Sequence, residues 1–152
     1  AVDVNELANE VFTELKYTSR RKELNMVNSI GEERYVFADR NMLKIILRNL
    51  VSNSVKYCNP RGTITVNCIC APEGTCMISV KDNGTGIREE KLSKLFELSS
   101  GTSSEGTFGE QGSSLGLIIC KELAERQNGS ISVESRPGEG STFYVTLPGV
   151  NS

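Results

Sequence analysis

Asn49, Asn53 and Lys56 are spaced by four and three residues, so on a helix all three project from one side. A neutral amide oxygen suits Mg²⁺, a hard cation that keeps several waters and takes its other oxygens from nucleotide phosphates. A lysine one turn away can offset phosphate charge. Further on, Asp82-Asn83-Gly84-Thr85-Gly86 follows directly on a predicted strand. Glycines there permit positive φ and let a ligand lie against bare backbone, and the aspartate can accept a hydrogen bond from an exocyclic amine such as that of adenine. Gly112-Ser113-Ser114-Leu115-Gly116-Leu117 opens a predicted helix after a flexible stretch, which aims backbone N–H groups at an anion. Each feature alone also has a plainer reading. The stripe can be a solvated helix face, and Asp, Asn and Gly dominate turns for conformational reasons. The glycine-bearing helix entry is neither a P-loop nor a dinucleotide fingerprint.

The elements that must hold these residues follow from periodicity. Val4, Leu7, Ala8, Val11, Phe12 and Leu15 recur at helical spacing and predict an amphipathic helix ending near the polar run 18–22. Leu24, Met26 and Val27 suggest one extended stretch and residues 35–38 a second, with Gly31 marking a turn between them. Asp39 is placed to cap a long helix whose apolar face is Met42, Leu43, Ile46, Leu47, Leu50, Val51 and Val55, ending before Asn59-Pro60. Residues 63–69 and 76–80 read as a hairpin around Pro72-Glu73-Gly74, and 89–96 as a short helix. Residues 99–114, rich in Gly, Ser and Thr, form a long loop of the kind that serves as a lid or binding loop. A helix from Leu115 to about Gln127 and a hairpin of 131–133 with 143–147 complete an α/β two-layer plan, with helices on one face of a mostly antiparallel sheet.

Composition narrows the partners. At 152 residues the chain is expected to be one domain, and 38% hydrophobic with 24% charged residues is ordinary for a soluble globular protein. The net charge of −2 and the scattered Lys and Arg residues give no footprint for nucleic acid. Five cysteines, mostly inside apolar stretches, are expected to act as small hydrophobes in a reducing, cytosolic setting. A metal reading of Cys68, Cys70 and Cys76 lacks any His or CxxC pair. No apolar run has the length of a membrane span. The chain begins in mid-pattern at Ala1, as an excised piece of something larger would.

In order and spacing these pieces resemble the four signature boxes of the sensor histidine kinase catalytic domain, part of the superfamily that includes gyrase, Hsp90 and MutL ATPases. Asn49-Leu50-Val51-Ser52-Asn53-Ser54-Val55-Lys56-Tyr57 resembles the N box, Asp82 to Ile87 the first glycine box, Lys94-Leu95-Phe96-Glu97 the F box and Gly112 to Leu117 the second glycine box. The tail from Gly129 through Gly140-Ser141-Thr142-Phe143 to Leu147-Pro148 resembles the closing hairpin. The resemblance implies an α+β two-layer sandwich of the Bergerat ATP-binding type, with three main helices on one face of a mixed, mostly antiparallel sheet and a long ATP lid.

It further implies a single catalytic ATP-binding domain over 1–152 that transfers the γ-phosphoryl group of Mg-ATP to a histidine. Asn53 would ligate Mg²⁺, Asn49 would orient water or phosphates, and Lys56 would contact phosphate. Tyr57 would lie against adenine and Asp82 would bind its amino group, with Gly84 and Gly86 making room for the base. Ile87 and Thr142 would also reach the nucleotide. Phe96 would pack beneath a lid of about 99–111, and Gly112, Ser113, Ser114, Leu115, Gly116 and Leu117 would close over the phosphates. Ser114 stands where the family pattern has a glycine, which at a strained turn would cost roughly 1 kcal/mol.

In hydrolysing relatives a glutamate matches Asn49 and acts as general base; an amide has no such basicity. The chain has no histidine, so the acceptor would sit on a separate histidine-bearing dimerisation domain. The expected partners are that domain and a response regulator receiver domain. The isolated domain would be a monomer, and its parent a homodimer in the cytoplasm, anchored or not in the inner membrane. The rival readings are an anti-sigma-type serine kinase and a nucleotide-binding pseudokinase, the latter motivated by Ser114.

Overall fold

The computed structural model describes residues 1–96 and 115–150. Five strands form one sheet in the order β2 (Asn25–Asn28), β4 (Thr63–Cys70), β5 (Thr75–Asp82), β7 (Gly140–Pro148) and β6 (Ser130–Arg136). The β2–β4 pair is parallel and the other three are antiparallel. The expected mixed, mostly antiparallel sheet is therefore what the chain builds. Strict alternation decides which face is covered. Ile64, Val66, Cys68, Cys76, Ile78, Val80, Phe143, Val145 and Leu147 are buried, while residues between them on the same strands remain partly or fully exposed.

Three helices cover the apolar face: α1 (Val4–Glu14) over β2, α3 (Arg40–Tyr57) over β4 and β5, and α5 (Leu115–Arg126) over β6 and β7. Asp39 caps α3 as expected, its carboxylate accepting from Met42 N–H at 3.0 Å. Asp3 does the same for α1 through Glu6 N–H. Glu10 pairs with Arg40 and Lys44, and Glu14 with Lys44 and Arg48, which clamps α1 against α3. These exposed pairs set orientation more than stability.

The helix expected to end near 18–22 does so, broken at Leu15 into α1 and α2 (Lys16–Arg21), whose last turn carries Arg20 and Arg21, where cations suit the helix dipole. Three expectations need correction. The short helix is only α4 (Glu89–Leu92), and Ser93 to Phe96 continue as turns. Of residues 35–38, β3 (Tyr35–Val36) is strand, and it pairs with β1 (Val2–Asp3) in a separate ribbon rather than with the main sheet. Cys70 and Cys76 face each other across β4 and β5 and are joined by a disulfide, whereas Cys58, Cys68 and Cys120 remain thiols and are buried, as small hydrophobes are. Among the described residues no helix is long and apolar enough to cross a membrane.

Candidate functional site

Asp82 is the last residue of β5 and continues the inward-facing set Cys76, Ile78 and Val80, so its carboxylate occupies a core position, 3% exposed. Its Oδ1 accepts from Gly84 N–H at 2.9 Å and Ser141 N–H at 3.3 Å. Burial pushes its pKa above the ordinary value, while Gly84 N–H, Ser141 N–H and the Ser54 hydroxyl pull the other way. Ser54 projects from α3 with 1% exposure, and its Oγ lies within electrostatic reach of the carboxylate but has no hydrogen-bond partner among the described residues. A desolvated acceptor beside an unsatisfied hydroxyl is the chemistry that receives an amino-bearing ring.

The stripe on α3 rises beside Asp82. Asn53 and Lys56 are half-buried, and the Lys56 ammonium sits 4.7 Å from the centre of the Tyr57 ring. The cation thus lies over the neighbouring aromatic. The Asn49 amide donates to Ile45 O at 2.8 Å, and its Oδ1 faces Gly116 of α5, where a Cβ would come within 2.8 Å of it. Gly116 therefore lets α5 approach the Asn49 position closely, bringing second glycine box and N box together.

The two turn glycines make room, but for the protein itself. A Cβ on Gly84 would stand 2.3 Å from Tyr57 O, and one on Gly86, at φ +73, would stand 2.1 Å from Arg136 O. These contacts press the Asp82 turn against the end of α3 and against the β6–β7 hairpin, so neither position has room for a side chain. Ile87 is tied to the same hairpin, its N–H donating to Ser135 Oγ at 2.7 Å. Phe96 packs partly buried against the core.

The sheet and the core hold two further predicted residues. Thr142 belongs to the solvated face of β7, paired with Lys81 and Glu134; period-two alternation makes Ser141 the residue beside Asp82. Leu117 is 5% exposed and packs in the core. The backbone of Leu115 opens α5, and Gly112, Ser113 and Ser114, like Glu97 and the expected lid, lie outside the described residues. Ser54, Ser141 and Lys22 are the residues that sequence reasoning missed. For Ser141 the inward-outward alternation of β7 was the available signal.

The donor set bears on a metal. Among the described residues no three His, Cys, Asp or Glu side chains gather, and the stripe offers amide oxygens instead. That fits Mg²⁺ carried in on phosphates, with Asn53 as its protein ligand, rather than a cage made by protein alone.

A family model described as "Histidine kinase-, DNA gyrase B-, and HSP90-like ATPase" matches residues 38–151. Sensor protein SrrB of Staphylococcus aureus (strain NCTC 8325 / PS 47) is 35% identical over 136 residues, covering 88% of this chain and 23% of SrrB. The chain thus spans about a quarter of the length of the curated relatives it matches. Among solved structures, a nucleotide-free catalytic domain of histidine kinase ThkA superposes with a TM-score of 0.81 at 28% identity, covering 97% of this chain and 93% of that one. ThkA in complex with response regulator protein TrrA gives a TM-score of 0.77 at 26% identity over 99% of this chain and 41% of that one.

Proposed function

Because the chain belongs to the histidine kinase-, DNA gyrase B- and HSP90-like ATPase family and has the fold of a histidine kinase catalytic domain, we propose that it binds Mg-ATP between α3 and α5 and delivers the γ-phosphoryl group to a histidine on a dimerisation domain. The observation that carries this reading is the Asp82 carboxylate, buried at the end of β5 beside the polar stripe of α3. Asp82 and Ser54 receive the adenine amino edge. Asn53 supplies the protein's oxygen to Mg²⁺, and Lys56 leaves the Tyr57 ring for phosphate. Mg²⁺ held at Asn53 would supply positive charge that offsets the phosphates.

The distinction from hydrolysis lies at Asn49. Its amide nitrogen donates to Ile45 O and offers no basic lone pair to water. An imidazole brings its own lone pair: the N–P bond forms as the bridging P–O bond breaks, ADP leaves, and the imidazole proton passes to solvent. Such transfer rests on positioning and charge stabilisation. The ThkA–TrrA complex supports a response regulator receiver domain as the next acceptor in the pathway of the parent kinase, which we take to be a cytoplasmic or membrane-anchored homodimer.

The test is radiolabelled Mg-ATP incubated with this domain and a histidine-bearing dimerisation domain. The expected result is label on the added domain, none on this one, and no transfer by a folded Asn53→Ala variant. Wild-type transfer by Asn53→Ala would move the metal elsewhere, and absence of transfer from bound ATP would refute the kinase reading.

A further inference from the structure

Lys22 is 2% exposed, yet no sequence box includes it. It is the residue that ends α2, and its Nζ donates to Val55 O at 2.7 Å, Lys56 O at 2.7 Å and Cys58 O at 3.4 Å. The last carbonyls of any helix lack partners within it. In α3 each one is taken: Ser54 O by Cys58 N–H at 2.9 Å, Tyr57 O by Thr85 N–H at 3.2 Å, and the rest by Lys22. The usual left-handed closing residue is missing, since Cys58 is extended at φ −74 and ψ 140. A buried ammonium ion replaces it, and three carbonyls at the negative end of the helix dipole make that burial tolerable. Lys22 is itself anchored, its carbonyl accepting from Arg61 N–H at 2.7 Å.

The turn it grips is the one that carries Lys56 and Tyr57, and the Tyr57 carbonyl is the surface on which Gly84 rests. We infer that Lys22 is a positioning residue for the nucleotide site: its ammonium fixes where the last turn of α3 ends, and so sets Lys56, Tyr57 and the Asp82–Gly86 turn relative to one another. The inference rests on the ATP-binding reading above for its effect on ligand, but not for its effect on the Thr85 contact.

The experiment compares wild type with Lys22→Met, which keeps length and loses charge and donors, and with Lys22→Gln, which keeps a donor. Leu7→Ala, a cavity in α1 away from this turn, is the stability control. Two quantities are read well below every melting temperature: the dissociation constant for Mg-ATP and the exchange rate of the Thr85 amide by NMR. Lys22→Met is expected to weaken ATP about tenfold and to speed Thr85 exchange by a similar factor, with Lys22→Gln in between and Leu7→Ala unchanged in both. If Lys22→Met does not fold, the same two shifts in Lys22→Gln carry the test. Wild-type ATP affinity and Thr85 protection in the Lys22 variants, with only a lowered melting temperature, would overturn the inference. Failure of wild type to bind ATP would instead sink the nucleotide reading, and Thr85 exchange would still decide the role of Lys22.

Discussion

Gly84→Ala tests whether the Asp82 turn is held by contact with α3 or by glycine's backbone freedom. The added Cβ would meet Tyr57 O at 2.3 Å, Cys58 Cα at 2.8 Å and Tyr57 C at 2.9 Å. All are backbone atoms of a turn that Lys22 and Thr85 already hold, so they have little room to retreat. Relief requires the turn to move by about 1 Å. That displacement breaks or lengthens Gly84 N–H to Asp82 Oδ1, Thr85 N–H to Tyr57 O and Thr63 N–H to Asn83 Oδ1. At about 1 kcal/mol for each bond lost, the expected destabilisation is roughly 2–4 kcal/mol. For a domain of this size that lowers Tm by roughly 5–15 °C. Gly138→Ala is the counterpart: φ is +80 there but nothing lies within 4 Å, so only backbone strain of roughly 1 kcal/mol applies. Calorimetry and ATP titration should show Gly84→Ala strongly destabilised with at least tenfold weaker binding, and Gly138→Ala slightly destabilised with unchanged binding. Equal Tm losses in the two, or full ATP affinity in Gly84→Ala, would refute the contact argument.

Asp82→Asn should change the pH dependence of stability with a definite sign. Because burial raises the folded pKa above 3.8, the native state binds the proton more tightly than the unfolded state, and wild-type stability falls as pH rises from 3.8 through the raised value. Urea midpoints across that window should move in favour of the Asn variant as pH rises, while its adenine binding is lost; a shift in favour of wild type with rising pH would show that desolvation is not the dominant cause. Cys70→Ser should cost about 2 kcal/mol without reductant, for a bridge spanning six residues, and nothing once wild type is reduced. Its ATP affinity should match wild type, since Cys76 lies at the opposite end of β5 from Asp82; an affinity change would mean that strain travels along the strand.

Periodicity and caps made most of the architecture legible. The apolar face of α3 and its Asp39 cap gave one helix end directly, and the alternation in 63–69, 76–80 and 143–147 gave three strands with their inward faces. What pairs with what was less visible. Residues 35–38 are as extended in pattern as 24–27, but the latter supply a strand of the main sheet, whereas Tyr35 and Val36 pair with β1 and meet the main sheet only at its margin, through Val36 with Gly149 and Phe37 N–H to Pro148 O. The disulfide escaped for a related reason: Cys70 and Cys76 become neighbours only once the register of β4 with β5 is known.

The site divides along the same line. Asn49, Asn53, Lys56 and Asp82 are polar groups of types that suit a metal, a phosphate or an amine, so their types and spacing single them out as candidates. Gly84, Gly86, Ser141 and Lys22 serve contacts between segments far apart in the chain: a glycine-bearing turn marks the first two and strand alternation marks Ser141, but nothing local distinguishes Lys22. The polar run Ser19-Arg20-Arg21-Lys22 reads as solvated surface, and nothing in it shows that Ser19 and Lys22 turn inward. Only the unsatisfied carbonyls at the end of α3, which must find donors somewhere, make a buried lysine the physical answer. Counting backbone groups that lack partners at helix ends thus locates residues that motif spacing misses. In this fold it leads from an unclosed helix straight to the turn that faces Asp82.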